Sequence, residues 1–118
     1  MLEKHLELRD RTKRFALRVL KLCSSLPRTD AARTIGRQLL RSGTSVAANY
    51  RAVGRARSQA EFVAKMGLVI EEADESVFWL ELLAESGIVP KPRLEALTAE
   101  ANELVAIFVA SQKTARGK

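Results

Sequence analysis

Five arginines recur along one helix-length stretch of the chain: Arg33, Arg37, Arg41, Arg51 and Arg55. At 100° per residue they fall within about 80° of one helical face, opposite the apolar positions of the same stretch. A guanidinium donates paired hydrogen bonds to phosphate, so this face suits an RNA or DNA backbone and carries no base preference. No aromatic side chain interleaves with the arginines, which argues against stacking on unpaired bases. The alternative is structural. Residues 58–87 hold seven acids and one lysine, and the arginines can pair with those acids within or between subunits.

Other residue types offer less. Glu71 and Glu75 lie one helical turn apart, the spacing of a carboxylate metal site. Bundle di-metal sites also need Glu-x-x-His motifs on other helices, and the only histidine is His5, near the N-terminus. That isolation also excludes a His-based dyad within a stable core. The glycines lack the spacing of a phosphate-binding loop. Cys23 is the only cysteine, so an internal disulfide is impossible. It fits a reducing compartment as a thiol packed on an apolar face. The chain reads as a non-enzyme with no cofactor and no metal.

These residues must be held by helices. The 118-residue chain is 47% hydrophobic, with only three prolines and six glycines. This composition predicts one all-α domain spanning residues 1–118. The opening MLEKHLELRD alternates charge with leucine, unlike a secretion signal or a membrane span, so a cytoplasmic location and no membrane partner are expected. The net charge of +6 is unevenly spread: +4 over residues 1–26, +6 over 27–57, −6 over 58–87 and +2 over the remainder. A basic face offered to nucleic acid explains this pattern, and so does complementarity between neighbouring helices.

Apolar periodicity predicts helices over about 2–25, 31–53, 58–86 and 92–113. The first carries Leu8, Thr12, Phe15, Val19, Leu22 and Leu26 in alternating steps of four and three. It stops at Pro27, with Thr29 or Asp30 as the next N-cap. The second carries Ile35, Leu39, Ser42, Val46, Asn49 and Val53. The third starts with capping-box spacing at Ser58 and Glu61 and ends at Gly87. Its seam from Phe62 to Leu83 is joined by a second, Val63, Ile70, Val77 and Ala84, more apolar surface than one neighbour covers. The fourth starts near Pro92, buries Leu94, Leu97, Ala101, Leu104 and Phe108, and leaves a frayed KTARGK tail. Three short connections imply an antiparallel up-down-up-down four-helix bundle.

The run QLLRSGTSVAANYRA, Gln38–Ala52, sets turn-forming residues in the middle of a helix. Its Ser, Gly and Ala side chains let two helix axes approach closely, and the Ser45 hydroxyl can bond back to a carbonyl one turn earlier. Ser42 and Asn49 are expected as buried polar residues in the seam, where an amide must find partners and can fix register.

QLLRSGTSVAAN, the Arg57–Phe62 run RSQAEF, and EEADESVFWLELLAESGIV together resemble the bacterial four-helix-bundle proteins of the ribosomal RNA intervening-sequence family. The similarity covers roughly residues 8–89. It implies an antiparallel bundle assembling as a ring-like homopentamer without assigned enzymatic activity. The same bundle occurs in the accessory protein of diversity-generating retroelements, which engages nucleic acid and a reverse transcriptase. The chain departs from the family pattern at Ala52, where a Glu is usual, and at Tyr50, bulkier than the usual aliphatic residue. A pentamer would use the extra apolar surface of the third helix, with Phe78, Trp79 and Leu82 as expected interface residues, their alternative being ordinary bundle core. Two functions follow: a homo-oligomer binding RNA or DNA through the second helix, or a pentameric scaffold for a protein partner with its charges used in assembly.

Overall fold

A computed structural model of the chain describes residues 2–117. Helix α1 spans Leu2–Ser24, α2 Asp30–Val53, α3 Gln59–Glu85 and α4 Lys91–Arg116, and no strand occurs among the described residues. The four pack as a bundle of 47 × 21 × 19 Å.

Each boundary has a local cause. Thr29 caps α2, its hydroxyl accepting from the Ala32 N–H at 3.2 Å. Ser58 caps α3 by accepting from the Glu61 N–H at 3.0 Å. The Glu61 carboxylate does not complete the box; it faces Lys65 at 3.9 Å. Gly87 follows α3 in the left-handed region, φ +77°, which L side chains rarely adopt. The reversal lets the Val89 N–H donate to the Leu83 carbonyl and buries the Val89 side chain. At the other end of the chain the expected frayed tail is helical as far as Arg116. Lys113 and Arg116 occupy that last turn, where positive charge complements the helix dipole.

One continuous core runs through all four helices. The predicted seam of α4 is buried throughout, and that of α1 is buried from Leu8 to Val19. The second seam of α3 needs no partner molecule. Val77 is buried, and Ile70 and Ala84 pack half-buried against the core. This side faces α4, whose Gln112 donates to the Val63 carbonyl at 3.0 Å.

The small residues of α2 serve two neighbours. Gly43 lies against α1: a Cβ there would stand 2.9 Å from both methyls of Val19. Ser42 faces α3, where it accepts a hydrogen bond from Ser76 at 2.9 Å, both hydroxyls fully buried. The back-bonds to the preceding turn come from Ser42 and Thr44, which reach Leu39 and Leu40, and not from Ser45. Asn49 also differs from expectation. It is only half-buried and forms no side-chain hydrogen bond among the described residues, while its neighbour Tyr50 is buried. The close approach at Gly36 and Gly43 turns the buried arc of α2 toward α1, which leaves Asn49 at its rim. Tyr50 instead stacks between His5 and Phe108, with ring centroids 4.9 and 5.5 Å away.

Helices α1 and α4 meet only thinly. Their seam is clasped by Arg11, which grips Glu100 through two hydrogen bonds of 2.8 and 2.7 Å and reaches Glu103 at 2.8 Å. Hydrogen bonding to this guanidinium holds the Glu100 carboxyl below the usual carboxylate range.

Candidate nucleic-acid interface

Arg33, Arg37, Arg41 and Arg51 project from the side of α2 opposite its core, Arg55 lies in the turn that follows it, and all five are exposed. They do not behave alike. Arg41 binds Glu72 at 3.0 Å and Glu75, both on α3. Hydrogen bonds from Trp79 and Arg41 lower the Glu75 pKa. Arg33, Arg37, Arg51 and Arg55 make no ion pair among the described residues. With Arg41 set aside, Arg33, Arg37 and Arg51 lie within about 40° of one another around the helix and span about 27 Å along it, while Arg55 follows in the turn after its last residue. The structural pairing that the acids of α3 offered is therefore realised for one arginine of five. The other four carry uncompensated positive charge.

Near the start of α2 a cleft of about 300 Å³ opens between the two basic helices, lined by Leu26, Arg28, Arg33, Arg37 and Leu40, with Cys23 at its wall. The Cys23 thiol faces the Gly36 carbonyl at 3.5 Å, and burial pushes its pKa up to about 11. A thiol held neutral is a poor nucleophile. Alkylation by iodoacetamide at neutral pH is expected to run about 100-fold slower in the folded protein than in urea. Equal rates in the two states would show that the thiol is not shielded.

Glu71 and Glu75 do not converge. Glu75 is engaged by Arg41 and by the Trp79 indole N–H at 3.0 Å, while Glu71 is exposed. No group of three or more His, Cys, Asp or Glu side chains is placed to hold a metal ion among the described residues. His5 packs on Tyr50 and over Gly54, so closely that a Cβ on Gly54 would lie 2.4 Å from the ring. Burial first, and Arg9 second, lower its pKa. No described helix is long and apolar enough to cross a membrane.

Of the three residues expected at an oligomer interface, Phe78 is 51% exposed, while Trp79 and Leu82 are half-buried and pack against the core. Phe78 stands edge-on to Trp79, with ring centroids 4.9 Å apart. Sequence reasoning passed over two further exposed apolar residues on α1, Leu6 and Leu17, and set Leu20 beside the buried seam, where it is instead 44% exposed. Their signal was present as leucines off the α1 seam.

The fold and the ordered motifs converge with a direct comparison: the family model for the 23S rRNA-intervening sequence protein matches residues 4–110. The chain belongs to this family. A Bacteroides thetaiotaomicron protein of unknown function from the S23 ribosomal protein family has a similar crystal structure. It is 30% identical, with a TM-score of 0.85 over 93% of this chain and 98% of that one. No curated protein matches. Neither the intervening-sequence family nor this neighbour carries an enzymatic description.

Proposed function

We propose that this intervening-sequence family member is a non-enzymatic, self-associating cytoplasmic bundle, pentameric as the resemblance implies, that binds RNA or duplex DNA through phosphate contacts from α2. The observation that carries this reading is the set of exposed arginines, Arg33, Arg37, Arg51 and Arg55, without an acidic partner among the described residues. Phosphate is the ligand that such a row of forked donors fits, and repetition of the row in an oligomer raises avidity without new chemistry. The second reading, a protein scaffold whose charges serve assembly, is supported by Arg41, whose charge is spent on Glu72 and Glu75.

A titration of RNA and of duplex DNA at two salt concentrations, beside Arg33/Arg37/Arg51→Glu, separates the readings. The wild type is expected to bind with a steep salt dependence. The variant should lose about three phosphate contacts, flattening the log–log salt slope by about 2.7. No binding at low salt, or undiminished binding by the variant, excludes an α2 interface.

A further inference from the structure

We propose that the cleft between the end of α1 and the start of α2 is a phosphomonoester site, fitted to the phosphorylated end of a nucleic-acid strand or to a free nucleotide. The inference rests on the reading of α2 as a phosphate-binding helix, with which it shares Arg33 and Arg37, and names the group that this end of the helix selects.

The cleft has a local cause. Helix α1 ends at Ser24, and the chain turns back with the Ser25 N–H on the Leu22 carbonyl at 3.0 Å and the Leu26 N–H on the Cys23 carbonyl at 3.3 Å. These carbonyls are engaged by the turn, which blunts the negative end of α1. Leu26 then seats on Gly36, where a Cβ would stand 2.9 Å from its Cδ1. Ala32 and Gly36, both buried, are the small residues beneath the cleft, and Leu26 and Leu40 wall it half-buried. Its volume of about 300 Å³ is at the small end of ligand sites. That room suits a phosphate and its sugar, whereas a stretch of duplex is far too wide to enter.

Three guanidinium groups line this one cleft: Arg28 from the connection, and Arg33 and Arg37 from α2. The last two stand one turn apart, with a rise of about 6 Å. All three are exposed and make no ion pair among the described residues. No carboxylate or amide side chain lines the cleft. Asp30, the nearest acid in sequence, is exposed, does not line it and forms no ion pair among the described residues. The Ser24 hydroxyl donates to the Leu20 carbonyl at 2.6 Å, and the Cys23 thiol faces the Gly36 carbonyl. What the side chains offer is therefore forked cations above apolar walls, with little to read the edge of a base.

Charge selects the form of phosphate. A bridging phosphodiester carries one negative charge, while a terminal phosphate carries about 1.5–2 and three strong acceptor oxygens. Three guanidinium groups around one small cleft exceed what a single diester uses and match a monoester. The rest of α2 lacks this density. Arg41 is neutralised by Glu72 and Glu75, and Arg51 stands about 21 Å along the helix from Arg37. A second cleft, beyond the far end of α2, counts only Arg57 among the arginines of its lining.

The test compares one short RNA carrying either a 5′-phosphate or a 5′-hydroxyl, by fluorescence anisotropy, and adenosine monophosphate with adenosine, by calorimetry. The 5′-phosphate RNA is expected to bind about tenfold tighter than its hydroxyl counterpart, and the monophosphate to bind where adenosine does not. Arg28→Gln, at an exposed position outside the helices and with its fold verified by circular dichroism, should erase the preference and leave the hydroxyl RNA little changed. Arg51→Gln should weaken both RNAs and keep their ratio. A preference that the monophosphate competes away assigns the cleft to strand ends; monophosphate binding lost in Arg28→Gln, without any preference between the RNAs, assigns it to a free nucleotide. RNA binding with neither preference, or a preference that Arg28→Gln retains in full, would overturn the cleft site while leaving the α2 interface in place. Monophosphate binding through Arg28 with no RNA binding at low salt would overturn that interface and leave the cleft.

Discussion

Phe108→Ala is expected to remove about 3–5 kcal/mol of stability, a large part of the 5–15 kcal/mol available to an ordinary domain. Phe108 is fully buried on α4 and stacks on Tyr50, which in turn stacks on His5. Truncation would open a cavity at the meeting of α1, α2 and α4, and these relatively rigid rings cannot collapse into it as a flexible aliphatic chain would. Thermal unfolding followed by circular dichroism should move down by about 10–20 °C. The tyrosine supplies a second readout. Burial raises its pKa to about 12, and removal of the ring beside it should bring that value back toward 10 in an ultraviolet titration. A loss below about 1 kcal/mol, less than the area of the ring alone is worth, would mean that the surrounding core closes over the site and that the stack is not required.

Gly43→Val should cost about 3 kcal/mol, for the opposite reason. The new Cβ alone would lie 2.9 Å from both Val19 methyls, and Val19 is fully buried on a helix where its χ1 is restricted. The side chain cannot swing aside, so the axes of α1 and α2 must separate and loosen packing along their whole contact. Urea unfolding measures the loss. Val19→Ala in the same chain should restore part of it by vacating the space, a coupling that distant sites do not show. A Gly43→Val protein with the wild-type urea midpoint would show that the close approach is not required.

These two sites illustrate what could be read from the chain in advance. The helices, their caps and the buried seam of α4 depend on signals within a few residues of one another: Thr29 and Ser58 before apolar runs, Gly87 after one, and leucines three and four apart. Such local rules survive folding almost unchanged. The close-packing role of the small residues was also visible, since a glycine in mid-helix needs a reason. Which helix each small residue faces was not. Gly43 meets α1 and Ser42 meets α3, an outcome of how far α2 rotates when Val19 closes on it. The same rotation exchanges Asn49 for Tyr50 in the core. Charge behaved similarly. The arginine row is a property of one helix and was plain, whereas the capture of Arg41 by Glu72 and Glu75 depends on two helices lying side by side. Sequence arithmetic could balance the arginines against the acids, but only geometry shows that four are left over.

The thin contact between α1 and α4 bears on how the chain reaches this structure. Nearly all the packing joins helices that follow one another, across connections of about five residues. Loop closure therefore costs little at each step, and the mean sequence separation of contacts is small. Helical hairpins can form independently and dock in turn, the regime of folding in microseconds to milliseconds. The distant clasp of Arg11 on Glu100 and Glu103 can close last without slowing the steps before it. A newly made chain thus hides its apolar stripes quickly, which matters for a protein whose finished surface still carries Leu6, Leu17, Leu20 and Leu68 in the open.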